Sequence, residues 1–323
     1  MSRSYISLTY RIETAGDVEA LAAKIASDQS TGTFVPLPGE TPELKERVAA
    51  RVVSIRHLDP TPVPTIPGEK QAPATGYRRA DVEIAFPIEA IGTDLAALMT
   101  IAIGGVYSIK GFSGIRVIDM QLPPEFAAAH PGPQFGIDGS RAISGVYGRP
   151  IIGSIVKPAL GLRPNETAEM VRELVEANVD FIKDDEKLMS PAYSSLEDRV
   201  AAIMPIILDH EQKTGKKVMY AFGISHADPD VMMRNHDIVA AAGGNCAVIN
   251  INSVGFGGFS FLRKRSRLVI HAHRNGWDIL TRHPGLGMDF HVYQQFWRLL
   301  GVDQFQINGI RAKYWESDDS FVR

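Results

Sequence analysis

From Gly148 onward the sequence repeats one rhythm, a short apolar run followed by a stretch of helical period, and this repetition restricts the fold more than any other feature. Runs of strand type fall at Ile151 to Val156, Val179 to Lys183, Lys217 to Phe222, Cys246 to Ile251, Leu268 to His273 and Asp303 to Ile307. Helical stretches lie between them at Asn165 to Ala177, Ser195 to Thr214, Asp228 to Ala242, Gly258 to Lys264 and Phe290 to Leu300. Strands that alternate with helices in this way form parallel βα units. Polar groups recur at the carboxyl ends of the strands, which favours a (β/α)8 barrel, the fold whose catalytic residues sit there. About six units are visible where a complete barrel takes ~250 residues. The expectation is a barrel that stops inside its sixth βα loop, with the last two units absent.

The preceding residues follow another pattern. Tyr5 to Ile12 alternates as a strand, and Asp17 to Ser27 is an amphipathic helix with Val18, Leu21, Ala22 and Ile25 on one face. Ala49 to Leu58, Gly76 to Phe86 and Ile115 to Leu122 are further strands, and Leu95 to Ala102 is a helix broken at Gly104-Gly105. Strands and helices without strict alternation predict a small α+β domain of ferredoxin-like type over residues 1–125. Pro123, Pro124, Pro131, Gly132 and Pro133 mark residues 126–147 as a linker, and the barrel domain takes 148–323.

Hydrophobic residues at 45% and charged residues at 22% of the 323 are globular values. A net charge of −3 argues neither for nucleic acid nor for an acidic membrane surface, and neither is expected as a partner. The single Cys246 excludes an intramolecular disulfide and is compatible with a reducing compartment. The opening MSRSYISLTYRIET reads as a strand and not as a signal peptide, and no run approaches the length of a membrane span, so a cytoplasmic protein is expected.

The chemistry concentrates in Phe181-Ile182-Lys183-Asp184-Asp185-Glu186 at the end of the second barrel strand. Side chains alternate along a strand, which groups Phe181, Lys183 and Asp185 on one face and leaves Glu186 at the loop mouth. Carboxylates at this density suit a hard cation such as Mg²⁺. An ammonium among them repels a metal unless the amine loses its proton or is converted to an anion. An acidic turn with a salt-bridged lysine on a solvated face is the plainer reading of the same residues. Lys157 lies at the rim of the first barrel strand, where a lysine near Lys183 would lower the pKa of both, or where it serves as an ordinary ion-pair partner. His271 and His273 share a face with Arg274 following, so they could bind metal, shuttle protons or simply bond to backbone carbonyls in the core. Asn250 and Asn252 read as a pair on one strand face, able to orient substrate or to form a buried amide ladder. Lys313, in a glycine-bearing basic loop, could close over an anionic substrate or point into solvent.

Taken together, GVYGRPIIGSIVKPALGL, FIKDDE, LVIHAHR and AKYWE stand in the order and spacing of the ribulose-bisphosphate carboxylase/oxygenase (RuBisCO) large-chain superfamily, and the chain resembles it from STGTF and GVYSIKGF onward. The resemblance implies an N-terminal α+β domain on a C-terminal (β/α)8 barrel, and a homodimer whose active site is shared between subunits. It implies that Lys183 reacts with CO₂ to give a carbamate, which with Asp185 and Glu186 holds Mg²⁺. By the same correspondence Lys157 and His273 are acid/base groups, Lys313 is the loop lysine, Arg274 contacts phosphate, His271 neighbours the reacting centre, and Thr33 and Phe34 reach the partner's site.

The departures are informative. The family's carboxylases have lysine, asparagine, glutamate and histidine where this chain has Ala159, Gly105, Asp28 and Gln306. Gln306 then lies where a substrate phosphate is contacted. The pattern resembles the non-carboxylating, RuBisCO-like branch, and among its members those that act in apiose breakdown. That similarity implies a Mg²⁺-dependent decarboxylase of a phosphorylated β-keto sugar acid, 3-oxo-isoapionate 4-phosphate, working through an enediolate. A transcarboxylase/hydrolase on the same substrate and an enolase or isomerase on a methylthio-sugar phosphate are the neighbouring alternatives. A non-catalytic RuBisCO-like protein, or a fragment, is the alternative of a different class.

Overall fold

The computed structural model describes residues 3–32, 37–67, 76–311 and 316–319. They divide into two compact units: Met1–His130 with Trp277–Phe296 and Asn308–Arg323, and Pro131–Gly276 with Trp297–Ile307. No helix among the described residues is long and apolar enough to cross a membrane.

The first unit is built on an antiparallel sheet of β1 (Tyr5–Thr14), β2 (Arg51–Thr61), β3 (Tyr77–Pro87) and β4 (Gly114–Gln121). Its order is β2-β3-β1-β4, the ferredoxin-like arrangement the sequence predicts. Alternation places Ile6, Leu8, Tyr10 and Ile12 of β1 in the core, where the helix Val18–Asp28 buries Val18, Leu21, Ala22 and Ile25. Asp17 caps that helix by accepting from the Ala20 N–H at 2.7 Å. The opposite face carries charges that pair along the sheet: Arg11 donates to Asp81 at 2.8 Å, and Arg56 reaches the same carboxylate.

Residues 281–289 lie alongside β4 through Ile115 N–H to the Gly285 carbonyl, Val117 N–H to Gly287, and Asp289 N–H back to Val117. Arg116 secures this strip. Its N–H donors reach Asp289 Oδ1 at 2.6 Å, Thr281 Oγ1, and the carbonyls of His283, Leu286 and Met288. Gly287 is obligatory within the strip: its φ is +87°, and a Cβ there would stand 1.6 Å from the Leu280 carbonyl oxygen.

The second unit is a six-stranded sheet of β5 (Gly153–Ile155), β6 (Phe181–Lys183), β7 (Met219–Gly223), β8 (Cys246–Asn250), β9 (Val269–His273) and β10 (Gln304–Phe305). Every neighbouring pair is parallel and the spatial order follows the chain, as consecutive βα units require. Met219, Ala221, Cys246, Val248 and Val269 form one apolar cluster, against which Phe135, Ile143 and Phe181 pack.

The stretch read as a linker holds two helices, Pro124–Ala128 and Gly136–Ser144. Glycine and proline around them hide a segment whose helical order comes from tertiary contact. Phe135 precedes the second helix and Ile143 lies in its last turn, both packed on the apolar cluster, and its start is held by Asp303, which accepts from the Phe135 N–H at 2.6 Å. The other oxygen of Asp303 takes Arg263 and the Ile270 N–H, each at 2.9 Å. Asp180, just before β6, is anchored similarly by a bidentate Arg149 at 2.6 and 2.9 Å and by the Ile152 N–H. These hydrogen bonds hold Asp180 at about 2, below the usual carboxylate range.

Candidate active site

The carboxyl end of β6 divides its side chains between two environments. Lys183 is buried, and its amine donates to the Asp184 carbonyl at 2.9 Å. Burial lowers its pKa and the Lys157 charge adds to the shift, against the opposing pull of Glu186, Asp185 and Asp184. Asp184 turns the other way, into a polar nest behind the strand. It accepts from Tyr220 OH at 2.6 Å, the Gly223 N–H at 2.9 Å and Arg199 at 3.3 Å, and Arg199 is itself fixed by the carbonyls of Ser194 and Met189.

Asp185 is also buried, but it faces the rim: its Oδ2 is the partner of the Lys157 amine and its Oδ1 accepts from the Lys187 N–H at 3.0 Å. Burial alone would raise its pKa, yet the bonds and charges of Lys157 and Lys187 outweigh it and leave the carboxyl at about 2. Glu186 meets Lys187 at 3.2 Å and His273 Nε2 at 3.6 Å, and its backbone carbonyl accepts from Asn250 Nδ2 at 2.7 Å.

On β9, His271 and His273 both face inward, as the alternation predicts. His271 lies against Phe181, ring centroids 5.0 Å apart, with Nδ1 3.2 Å from Gln304 Oε1. Burial pushes it down to about 3, with the Lys183 charge adding and the Gln304 bond opposing. Burial likewise takes His273 to about 4 despite the nearby Glu186 carboxylate. Both rings are therefore neutral at neutral pH, fit to accept a hydrogen bond more than to take up a proton. His271 Nε2, His273 Nδ1, Asn250 Oδ1 and Gln306 Oε1 are buried and have no hydrogen-bond partner among the described residues. Arg274 follows β9 and is buried.

The structure thus brings Lys157, Lys183, Asp185, Glu186 and His273 together through their charges and contacts, and sets His271 one pleat below His273 on β9. Thr33, Phe34 and Lys313 lie outside the described residues. The pairing of Asn250 with Asn252 does not survive. The strand ends at Asn250 and a helix begins at Ile251, kinked at Gly255 (φ 72°), with Asn252 donating to the Asn275 carbonyl instead. Glycine-rich INSVGFGG has weak helical propensity, which delays the apparent helix start to Gly258. Asp184, Tyr220 and Arg199 were not foreseen. A usable signal was an arginine on the apolar stripe of Leu196, Val200 and Ile203, which demands a buried acid. In the first unit, a Cβ on Gly105 would meet Gln29 Nε2 at 3.2 Å, and that nitrogen donates to Asp28 at 2.8 Å, so an amide borders the space at this departure from the carboxylase pattern.

Among the described residues no three His, Cys, Asp or Glu side chains stand close enough to hold a metal ion. Asp185 and Glu186 supply two carboxylates, a set that suits a hard cation completed by water or substrate oxygens, and the Lys183 amine beside them, its pKa lowered by burial, would add a third anionic group if converted to a carbamate.

An α+β domain preceding a parallel βα sheet, with lysine and carboxylates at the strand ends, is the layout of an α/β enzyme whose site lies past the carboxyl ends of its strands. The chain belongs to the ribulose bisphosphate carboxylase large-chain family: the family's N-terminal domain matches residues 4–126 and its catalytic domain residues 136–323. It is 78% identical, over 98% of its length and 76% of the relative's, to a 3-oxo-isoapionate-4-phosphate decarboxylase of Rhizobium etli. It is 45% identical, over 97% of its length and 75% of the relative's, to a 3-oxo-isoapionate-4-phosphate transcarboxylase/hydrolase of Xanthobacter autotrophicus. Among solved structures, a rubisco-like protein from Burkholderia fungorum superposes with a TM-score of 0.90 at 37% identity, covering 98% of this chain and 76% of that one.

Proposed function

We propose that this chain is a Mg²⁺-dependent decarboxylase of 3-oxo-isoapionate 4-phosphate, a lyase of the RuBisCO-like branch that does not carboxylate ribulose bisphosphate. The observation that carries the reading is 78% identity to a decarboxylase of that substrate, against 45% to the transcarboxylase/hydrolase. The buried Lys183 beside Asp185 and Glu186 supports it chemically.

In this reading Lys183, as its carbamate, and the Asp185 and Glu186 carboxylates hold Mg²⁺. The bound ion supplies a Lewis acid that draws off the negative charge left on the substrate ketone when the C–CO₂ bond breaks. Carbamylation also removes the Lys183 positive charge beside Lys157, leaving Lys157 as the proton source at the rim. Lys157 gives its proton to the carbon that CO₂ has left, and Asp185 fixes the direction of that amine. His273, neutral and buried, accepts a hydrogen bond from a substrate hydroxyl. Arg274 and Gln306 serve the phosphate end, His271 neighbours the reacting centre, and Lys313, Thr33 and Phe34 are assigned to the substrate by family correspondence, in a cytoplasmic homodimer with a shared site. Family membership supports those last assignments.

The test is incubation with the keto acid phosphate in Mg²⁺ and bicarbonate. One equivalent of CO₂, with a phosphorylated product one carbon shorter, is expected. Retention of that carbon in the products would replace decarboxylation by transfer and hydrolysis.

A further inference from the structure

Asn250 is the last residue of β8, and its register partner on β9 is His273. Its own N–H is fixed by Ser225 Oγ at 2.8 Å, and its Nδ2 donates to the Glu186 carbonyl at 2.7 Å. A carbonyl can only accept, so chemistry decides the amide's orientation: nitrogen faces Glu186 and Oδ1 faces away. That oxygen is buried and accepts from no described residue, and His273 Nδ1 is buried in the same unpartnered state. A buried acceptor left without a donor is destabilising, and a bound donor removes that cost. What Oδ1 itself lacks is a hydrogen-bond donor.

We propose that Asn250 is a specificity-determining residue: Oδ1 accepts a hydrogen bond from a hydroxyl of the substrate while Nδ2 keeps the Glu186 backbone in place. The proposal rests on the functional reading above, in which the substrate is a hydroxylated keto acid phosphate. An amide suits the task because it presents a lone pair without adding negative charge toward an anionic ligand.

The experiment compares wild type with Asn250→Ala and the near-isosteric Asn250→Leu. It measures kcat and KM for 3-oxo-isoapionate 4-phosphate, together with calorimetric titration of Mg²⁺ in bicarbonate, after thermal melting has shown which variants fold. Expected, at saturating Mg²⁺, is a rise in KM of about tenfold or more with kcat within about threefold of wild type. An unchanged KM in a folded variant overturns the proposal. So does a parallel loss of kcat and Mg²⁺ affinity, which would make Asn250 only a brace for Glu186. Wild-type protein that releases no CO₂ from this substrate would instead overturn the functional reading and carry this proposal down with it.

Discussion

Asp184 and Asp185 are consecutive, yet their carboxylates face opposite sides of β6: Asp184 bonds Tyr220 and Arg199 behind the strand, and Asp185 bonds Lys157 at the rim. Strand alternation makes one a structural anchor and frees the other for chemistry.

Replacing the anchor's partner should therefore unfold the protein more readily without touching the rim. Arg199 and Asp184 are both fully buried, and Arg199→Met leaves the carboxylate without its cation. A loss of about 3–5 kcal/mol is expected, read as a lowered urea midpoint.

Lys183→Met should do the opposite. The side chain is buried and of similar volume, so the thermal midpoint stays near that of wild type while bicarbonate-dependent Mg²⁺ binding disappears. Outer-shell changes at metal sites already cost about 10–100-fold in affinity, and loss of a ligand should cost at least as much. Calorimetry with and without bicarbonate checks it; undiminished binding in the variant would remove the carbamate from the mechanism.

Asp180 gives a pH dependence whose sign is fixed. Its folded pKa, about 2, is depressed below the ~3.9 of an unfolded aspartate. The stabilisation is thus fully present above about pH 4 and fades as pH falls toward about 2. Arg149 is half exposed and screened, so the contribution is about 1–2 kcal/mol. Urea unfolding of wild type and Asp180→Asn should differ by that amount at pH 7 and converge near pH 2.

Gly287→Ala should be among the most damaging single changes in the first unit. The new methyl would need the space of the Leu280 carbonyl at a positive φ, so the strip beside β4 must move. A loss of about 4 kcal/mol or more is expected, against near-neutral behaviour for Gly39→Ala, where a Cβ meets nothing within 4 Å. Chemical denaturation of the two variants decides it.

Much of this architecture was legible because its signals are local. The strands of the second unit are apolar runs, and Lys183, Asp185, His271 and His273 are placed by a period of two that needs no knowledge of the rest of the chain. The helix Gly136–Ser144 was not legible, since what stabilises it is Asp303, remote in sequence, and the packing of Phe135 and Ile143. The role of Asp184 was hidden for the same reason: the period of two turns it away from Lys183 and Asp185, but its partners there, Tyr220 and Arg199, are remote in sequence. Asn250 was half legible, its inward face readable from the strand and its separation from Asn252 dependent on a helix that glycines disguise.

Asp180 and Asp303 both stand immediately before a strand, and the reacting groups stand after one. β6 and β10 are thus fastened at their beginnings, while β6 and β9 present Lys183 and His273 at their ends. A change of trade, from adding a carbon to releasing one, can proceed by exchanging residues past the strand ends while the fastenings stay put, which is how one scaffold comes to serve opposite directions of the same carbon chemistry.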